Sequence, residues 1–185
     1  MNRRAFIKTT VASGAALAAG TAGAAEEAGS TLKHGVHVPA GRDRSLQPLR
    51  LGTDRVDAKV STKDSNGGLY AVEGVKVGKG GPPRHVHHEQ DEWFYVLEGE
   101  FSFEVGNEKF TAKPGDSVFG PRKVPHVWAC VTDTGRLLMT VQPAGAMETI
   151  FQRLAAFTRP PTREELDKAH QGTGVTILGD PLRVD

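Results

Sequence analysis

At 185 residues, with 38% hydrophobic and 24% charged side chains, the chain suits one soluble globular domain with a single core, not a disordered or a membrane-embedded protein. Its 23 basic and 22 acidic residues nearly cancel, without the basic excess that a nucleic-acid partner asks for. The lone cysteine, Cys130, excludes an internal disulfide, and its place in the apolar run VWACV reads as packing rather than as a nucleophile.

The N-terminus reads as an export signal. MNRRAFIK sets Arg3 and Arg4 ahead of Phe6, Ile7 and Lys8, the weakly apolar run TTVASGAALAAG follows, and Ala22-Gly23-Ala24 supplies a small-residue A-x-A cleavage site. Residues 1–24 are therefore expected to be removed. Ser, Thr and Gly interrupt the run, so it falls short of the about twenty strongly apolar residues that a stable membrane anchor needs. The paired arginines resemble the twin-arginine export signal, which implies a periplasmic or secreted protein that folds, and takes up any metal, before it crosses the membrane. Without Arg3, Arg4 and Lys8 the mature chain carries 20 basic against 22 acidic residues, a further argument against nucleic acid.

Residues 25–50 are rich in Gly, Ala, Ser and Arg, contain Pro39 and Pro48, and show no sustained period, so they read as a linker or N-terminal arm. His34 and His37 have the H-x-x-H spacing that could hold a metal on a helix. Gly35 and Pro39 argue against a helix there, and solvated histidines are expected.

A barrel is expected over residues 51–143. DRVDAKV, LYAVEGVKV, EWFYVLEG, EFSFEVG, EKFTAK, DSVFGP, HVWACVT and RLLMTVQ are rich in Val, Phe, Tyr, Trp and Thr, and most alternate. Glycine-bearing turns punctuate them, among them Gly80-Gly81, Glu98-Gly99 and Gly106-Asn107. About eight short strands with no helix between them predict a mainly β fold, an antiparallel sandwich or barrel of jelly-roll type. Residues 144–185 read as a C-terminal helical extension. Met147, Ile150, Phe151 and Leu154 recur at helical spacing, and Thr162-Arg163-Glu164-Glu165 has the form of a capping box opening a second helix that Gly172 would close. These helices are expected on the outside of the barrel or near its mouth, with their apolar stripe serving as core.

The stretch RHVHHEQDE, residues 84–92, concentrates three imidazoles and several carboxylates. In an extended segment His85 and His87 share one face and His88 takes the other, so two imidazoles can aim inward while His88 faces solvent. His126 follows downstream. Glu89, Asp91 and Glu92 each offer a carboxylate, and spacing alone does not choose among them, since the step from His87 to Glu92 breaks strand parity and requires a turn or bulge. Neutral imidazoles with a carboxylate suit one divalent transition metal, Fe, Mn, Ni, Co, Cu or Zn, whereas Ca or Mg would want more oxygens.

The pattern H-x-H-x(4)-E-x(6)-G, filled by His85, His87, Glu92 and Gly99, precedes P-G-D-x(6)-R-x(3)-H, from Pro114 through Arg122 to His126. Both resemble the two motifs of the cupin superfamily, and the flow into PAGAMETIFQRL and GVTILGDPL is similar to single-domain, quercetin dioxygenase-like cupins. Gly80 departs from the first motif, standing one residue closer to His85 than usual; the departure touches the turn and not the ligands. The resemblance implies a cupin double-stranded β-helix and the ligand set His85, His87, Glu92 and His126. Trp128 and Phe94 share strand parity with His126 and Glu92, and are open to either pocket or core.

Four protein ligands on a metal that prefers six leave two positions for substrate or dioxygen. A glutamate at the metal can also act as a general base, which makes Glu92 the candidate catalytic residue. The expected function is a metal-dependent dioxygenase, quercetinase-like, acting on a small aromatic or enolisable substrate. A non-oxidative isomerase or decarboxylase, and a non-catalytic periplasmic binding protein for a metal or small ligand, remain open as alternatives. The expected partners are a small-molecule substrate and a second copy of the chain, in a homodimer.

Overall fold

A computed structural model describes residues 32–184. The expected export signal over residues 1–24 lies outside the described residues, as do residues 25–31 of the expected linker or arm.

Among the described residues, eleven strands and two helices follow in chain order: β1 (Leu49–Leu51), β2 (Asp54–Val60), β3 (Tyr70–Val77), β4 (Pro83–His87), β5 (Asp91–Glu98), β6 (Phe101–Val105), β7 (Glu108–Ala112), β8 (Ser117–Gly120), β9 (His126–Cys130), β10 (Thr134–Gln142), α1 (Met147–Ala155), α2 (Arg163–His170) and β11 (Val175–Pro181). Two antiparallel sheets face one another. One has the order β1-β2-β3-β10-β5-β8 and the other β11-β4-β9-β6-β7, the crossed connections of a jelly roll.

Strand alternation builds the core between them. On β5 Glu92, Phe94 and Val96 are buried while Asp91, Trp93 and Tyr95 are only partly so, and on β10 Leu137, Met139 and Val141 turn inward in the same rhythm. From the opposite sheet come Phe101, Phe103 and Trp128; Phe94 meets Phe103 at 5.2 Å and Phe101 meets Trp128 at 5.8 Å, both ring pairs inclined. Cys130 is fully buried among them, as its apolar setting leads one to expect. Two glycines are demanded by close approach. A Cβ on Gly81 would stand 1.9 Å from the Trp128 carbonyl oxygen, and one on Gly99, which has φ +76°, would stand 2.5 Å from that of Thr134.

All eight strands read from the sequence are present, and three more join them. β1 falls at the end of the stretch expected to be a linker or arm and pairs with β2. That arm is also tied down by Asp43, whose buried carboxylate accepts from Ser45 N at 2.7 Å and from Ala58 N of β2 at 2.7 Å. His34 and His37 are exposed. β4 is a strand in its own right, separated from β5 by residues 88–90, and these supply the turn that the parity break requires.

The C-terminal extension is helical only as far as His170. Thr162 caps α2 with the expected box, its hydroxyl accepting from Glu165 N while the Glu165 carboxylate accepts from Thr162 N. Beyond Gly172 and Gly174, both at positive φ, the chain becomes β11 and pairs antiparallel with β4. Both expected helices of the C-terminal extension over 144–185 are present, and the extension ends in a strand in place of further helix. Val175 and Ile177 are buried against β4, whose free edge and unpaired backbone groups gain a partner.

Candidate metal centre

The two sheets bring four residues of the opening motifs to one point. His85 and His87 come from β4, and His85 pairs directly across the ladder with His126 of β9, so all three imidazoles belong to one sheet. Their ring centroids lie 4.5 to 5.5 Å apart. Glu92 reaches them from β5 in the facing sheet. Its Oε2 stands 3.0 Å from His126 Nε2, 3.3 Å from His87 Nε2 and 4.0 Å from His85 Nε2. One donor atom from each of the four lies within 4.8 Å of all the others, and every one of these residues is buried.

The donor set fits a divalent transition metal on the chemistry of its own nitrogens. His85 Nδ1 is 2.8 Å from the Pro83 carbonyl oxygen and His126 Nδ1 is 3.3 Å from that of Val124. A carbonyl only accepts, so each Nδ1 carries a proton, and Nε2 is the nitrogen turned toward Glu92, the arrangement that orients imidazole ligands. His87 makes the stronger point. Both of its ring nitrogens are buried without a hydrogen-bond partner. A buried polar group left unmet costs about 1–3 kcal/mol, and a cation held between Nε2 and the Glu92 carboxylate would meet it. The cluster could therefore bind a metal ion, with imidazole and carboxylate donors that suit several first-row ions alike.

Electrostatics agree. Burial, reinforced by the neighbouring His126 and His87 rings, pushes His85 down to about 3, against the opposing pull of Glu92, so its imidazole is neutral at physiological pH. Burial alone would raise the Glu92 carboxyl, but its contacts with His126 and His87 outweigh burial and hold it below the usual carboxylate range.

The structure separates the carboxylates that spacing left open. Glu89 is exposed. Asp91, on the outward face of β5, accepts from Arg122 Nη2 at 2.6 Å, from Arg122 Nε at 3.1 Å and from Arg122 N at 2.8 Å. Only Glu92 turns inward. His88 also faces outward, 2.9 Å from the Thr176 hydroxyl.

A cavity of about 470 Å³ adjoins the cluster, with His85, His87 and Glu92 in its wall. Trp128 lines it while also belonging to the core; Phe94 does not, and is fully buried with its ring 6.1 Å from that of His126. The helices close the far side. Met147, Ile150, Phe151 and Leu154 of α1 form an apolar ceiling, so the stripe expected to be core is core and cavity wall at once. His170 of α2 lines the cavity too, a residue that motif and spacing did not point to.

Residues 71–142 match the family model described as a cupin domain. Over 42 residues the chain is 43% identical to an uncharacterised protein of Methanocaldococcus jannaschii; the match takes in 23% of this chain and 34% of that protein, about a third of its length. Among solved structures, an RmlC-like cupin from Shewanella frigidimarina shares 29% identity with a TM-score of 0.45, over 53% of this chain and 84% of that one. KdgF from Halomonas sp. shares 21% identity with a TM-score of 0.47, over 52% of this chain and 86% of the other. The helices and β11 lie beyond the cupin match, so the ceiling of the cavity is supplied by sequence outside it.

Proposed function

We propose that the cupin domain is a metal-dependent dioxygenase of quercetinase-like type, acting on a small aromatic or enolisable substrate. The observation that carries this reading is the opening of a buried cluster of three histidines and one glutamate onto a cavity of about 470 Å³ with a largely aliphatic and aromatic wall. That volume falls in the range of small-molecule sites. When bound, a divalent transition metal supplies a Lewis acid with open positions and, if redox-active, a route for electrons to dioxygen. His85, His87, His126 and Glu92 hold it. Trp128, Met147, Ile150 and Phe151 exclude water and favour a flat or apolar substrate body. Glu92, ionised and facing the cavity, is placed to take a proton from an acidic hydroxyl of the substrate.

The reading includes export in the folded state by the twin-arginine route, action in the periplasm or outside the cell, and a homodimer. What supports the dimer is the apolar outer face at the β8 edge, where Phe119 and Leu97 are exposed and Trp93 stacks on Tyr95 at 5.7 Å.

Oxygen uptake by the metal-loaded protein with a flavonol and a panel of simpler phenols tests the assignment. Oxygen consumed in step with substrate loss supports it. Turnover without oxygen would assign a non-oxidative isomerase or decarboxylase instead, and bound metal without any turnover would assign a binding protein.

A further inference from the structure

Of the ionisable side chains in the cavity wall, among the described residues, all but one are committed. Lys76 and Asp54 bond to each other, Arg159 is held by Glu165 at 2.7 Å, and His85, His87 and Glu92 form the metal cluster. His170 is the exception. It sits on the last turn of α2, half-buried, where the cavity meets the surface groove between α2 and β11.

The His170 ring has a fixed hydrogen-bonding sense. Its Nδ1 is 2.7 Å from the Leu166 carbonyl oxygen one turn earlier on the same helix, and since a carbonyl only accepts, Nδ1 carries the proton. Burial, aided by the proximity of His87, pushes the imidazolium below the usual histidine range against the help of the Leu166 bond, so the ring is neutral at physiological pH. Nε2 is then a pure acceptor, left free by the Nδ1 bond on a residue that lines both the cavity and the adjoining groove. The cavity thus has two polar stations of opposite demand, set in an apolar wall. The metal cluster takes a Lewis-basic oxygen; His170 takes a hydrogen-bond donor.

We infer that His170 is a substrate-binding residue whose Nε2 accepts a hydrogen bond from a hydroxyl or N–H group of the ligand, so that the cavity selects a compact apolar molecule carrying both a metal-binding oxygen and a second donor group. The inference deepens the proposed function and rests on the reading of the cluster as a metal site. It draws on a residue that lies outside the cupin match and that the family motifs do not include. A vicinal hydroxyl pair on an aromatic ring is the simplest chemistry that satisfies both stations.

The test uses the full domain loaded with zinc, which is redox-silent, and catechol as the probe, with affinity read by calorimetry. His170→Phe keeps a ring of similar size and removes the acceptor. It is expected to weaken catechol binding about five- to tenfold, the worth of one hydrogen bond, with zinc stoichiometry unchanged. His170→Gln restores an acceptor in its side-chain carbonyl and should recover part of the loss. Equal affinity in wild type and His170→Phe, or no catechol binding by the zinc-loaded wild type, overturns the inference. Long-range proton–nitrogen NMR of the imidazoles gives a readout independent of metal and folding variants. A proton on Nδ1 of His170 is expected, and a proton on Nε2 overturns the inference. Failure of the wild type to retain zinc would sink the metal reading instead, and the tautomer measured on that metal-free protein would still decide the role of His170.

Discussion

Asp91 and Glu92 are neighbours on β5 and point to opposite sides of it. Glu92 Oε2 lies 3.0 Å from His126 Nε2 inside the barrel, while Asp91 Oδ2 lies 2.6 Å from Arg122 Nη2 on the surface. The strand period of two separates them, and each acid has its own histidine or arginine from the second sequence motif. The Arg122 contacts, side chain first and then backbone, hold the Asp91 carboxyl down at about 2, so it stays ionised and engaged. The motif arginine therefore holds the carboxylate that strand parity already turns away from the cluster.

Removing any one imidazole of the cluster should release most of the bound metal. His85→Ala, His87→Ala and His126→Ala each delete one coordinate bond from a preformed site. His88→Ala, which deletes an exposed side chain bonded to Thr176, should keep full occupancy. Arg122→Ala should keep it as well, with little change in stability, since an exposed ion pair is worth little. Native mass spectrometry or elemental analysis reads the occupancy directly. Full metal in the triple histidine variant would refute the cluster as the site.

Acid should loosen the N-terminal arm through Asp43. Burial alone would raise this carboxyl, but the bonds from Ser45, Ala58 and Gln47 outweigh burial and lower it from the ordinary aspartate value. A folded pKa below the unfolded one contributes stability that is present above the unfolded value and is lost as pH falls through the folded one. Asp43→Asn keeps one acceptor oxygen where the carboxylate used Oδ1 for Ser45 and Gln47 and Oδ2 for Ala58. The variant should lose about 1–3 kcal/mol at neutral pH, and its unfolding free energy should fall less between pH 5 and pH 3 than that of the wild type, values set by the ordinary aspartate titration near about 3.9. Denaturant melts at several pH values check both statements. Parallel wild-type and variant curves would show that Asp43 is not the group responsible.

The fold was legible where alternation runs long enough to be heard. β5 and β10 carry inward residues at every second position over eight and nine residues, and both were readable. β1 has only three residues, too few for a period. β4 opens on a proline and spends its inward positions on His85 and His87, so it lacks the apolar alternation by which strands are recognised. β11 follows two helices and ends in Gly-Asp-Pro, a breaker signature, yet the edge of β4 provides the partner that its own sequence does not announce. The three histidines of the cluster were legible from motif spacing. The choice of Glu92 over Glu89 and Asp91 rested on the family resemblance, because the turn at residues 88–90 resets parity. His170 was not legible, since it meets the cavity only through the packing of α2. The one trace in the sequence is its place a single turn after Leu166, which lines the same cavity.

Export should depend on the arginine pair. Arg3→Lys with Arg4→Lys is expected to abolish transport by the twin-arginine route and to leave the domain's melting temperature unchanged, because residues 1–24 precede the barrel. Fractionation of expressing cells reads the outcome. Undiminished periplasmic yield would point to an ordinary secretory signal, and loading of the metal before export would lose its support.

Glu92 should matter beyond holding the ion. Glu92→Gln preserves size and one oxygen donor but removes the negative charge toward which three imidazoles converge, so metal should bind more weakly through the remaining nitrogens. The amide has no basic oxygen to accept a substrate proton at neutral pH. General acid–base catalysis is worth about 10²–10⁴-fold in rate, so the variant, reconstituted with metal to full occupancy, should lose at least about a hundredfold in kcat. The two roles separate in the measurement. A loss of turnover that added metal restores would make Glu92 a ligand alone, whereas a loss that persists at full occupancy, with substrate affinity retained, identifies the carboxylate as the proton acceptor. Near-native turnover at full occupancy would send the search for the base elsewhere in the cavity wall, where His170, its Nδ1 bonded to the Leu166 carbonyl, is the next candidate.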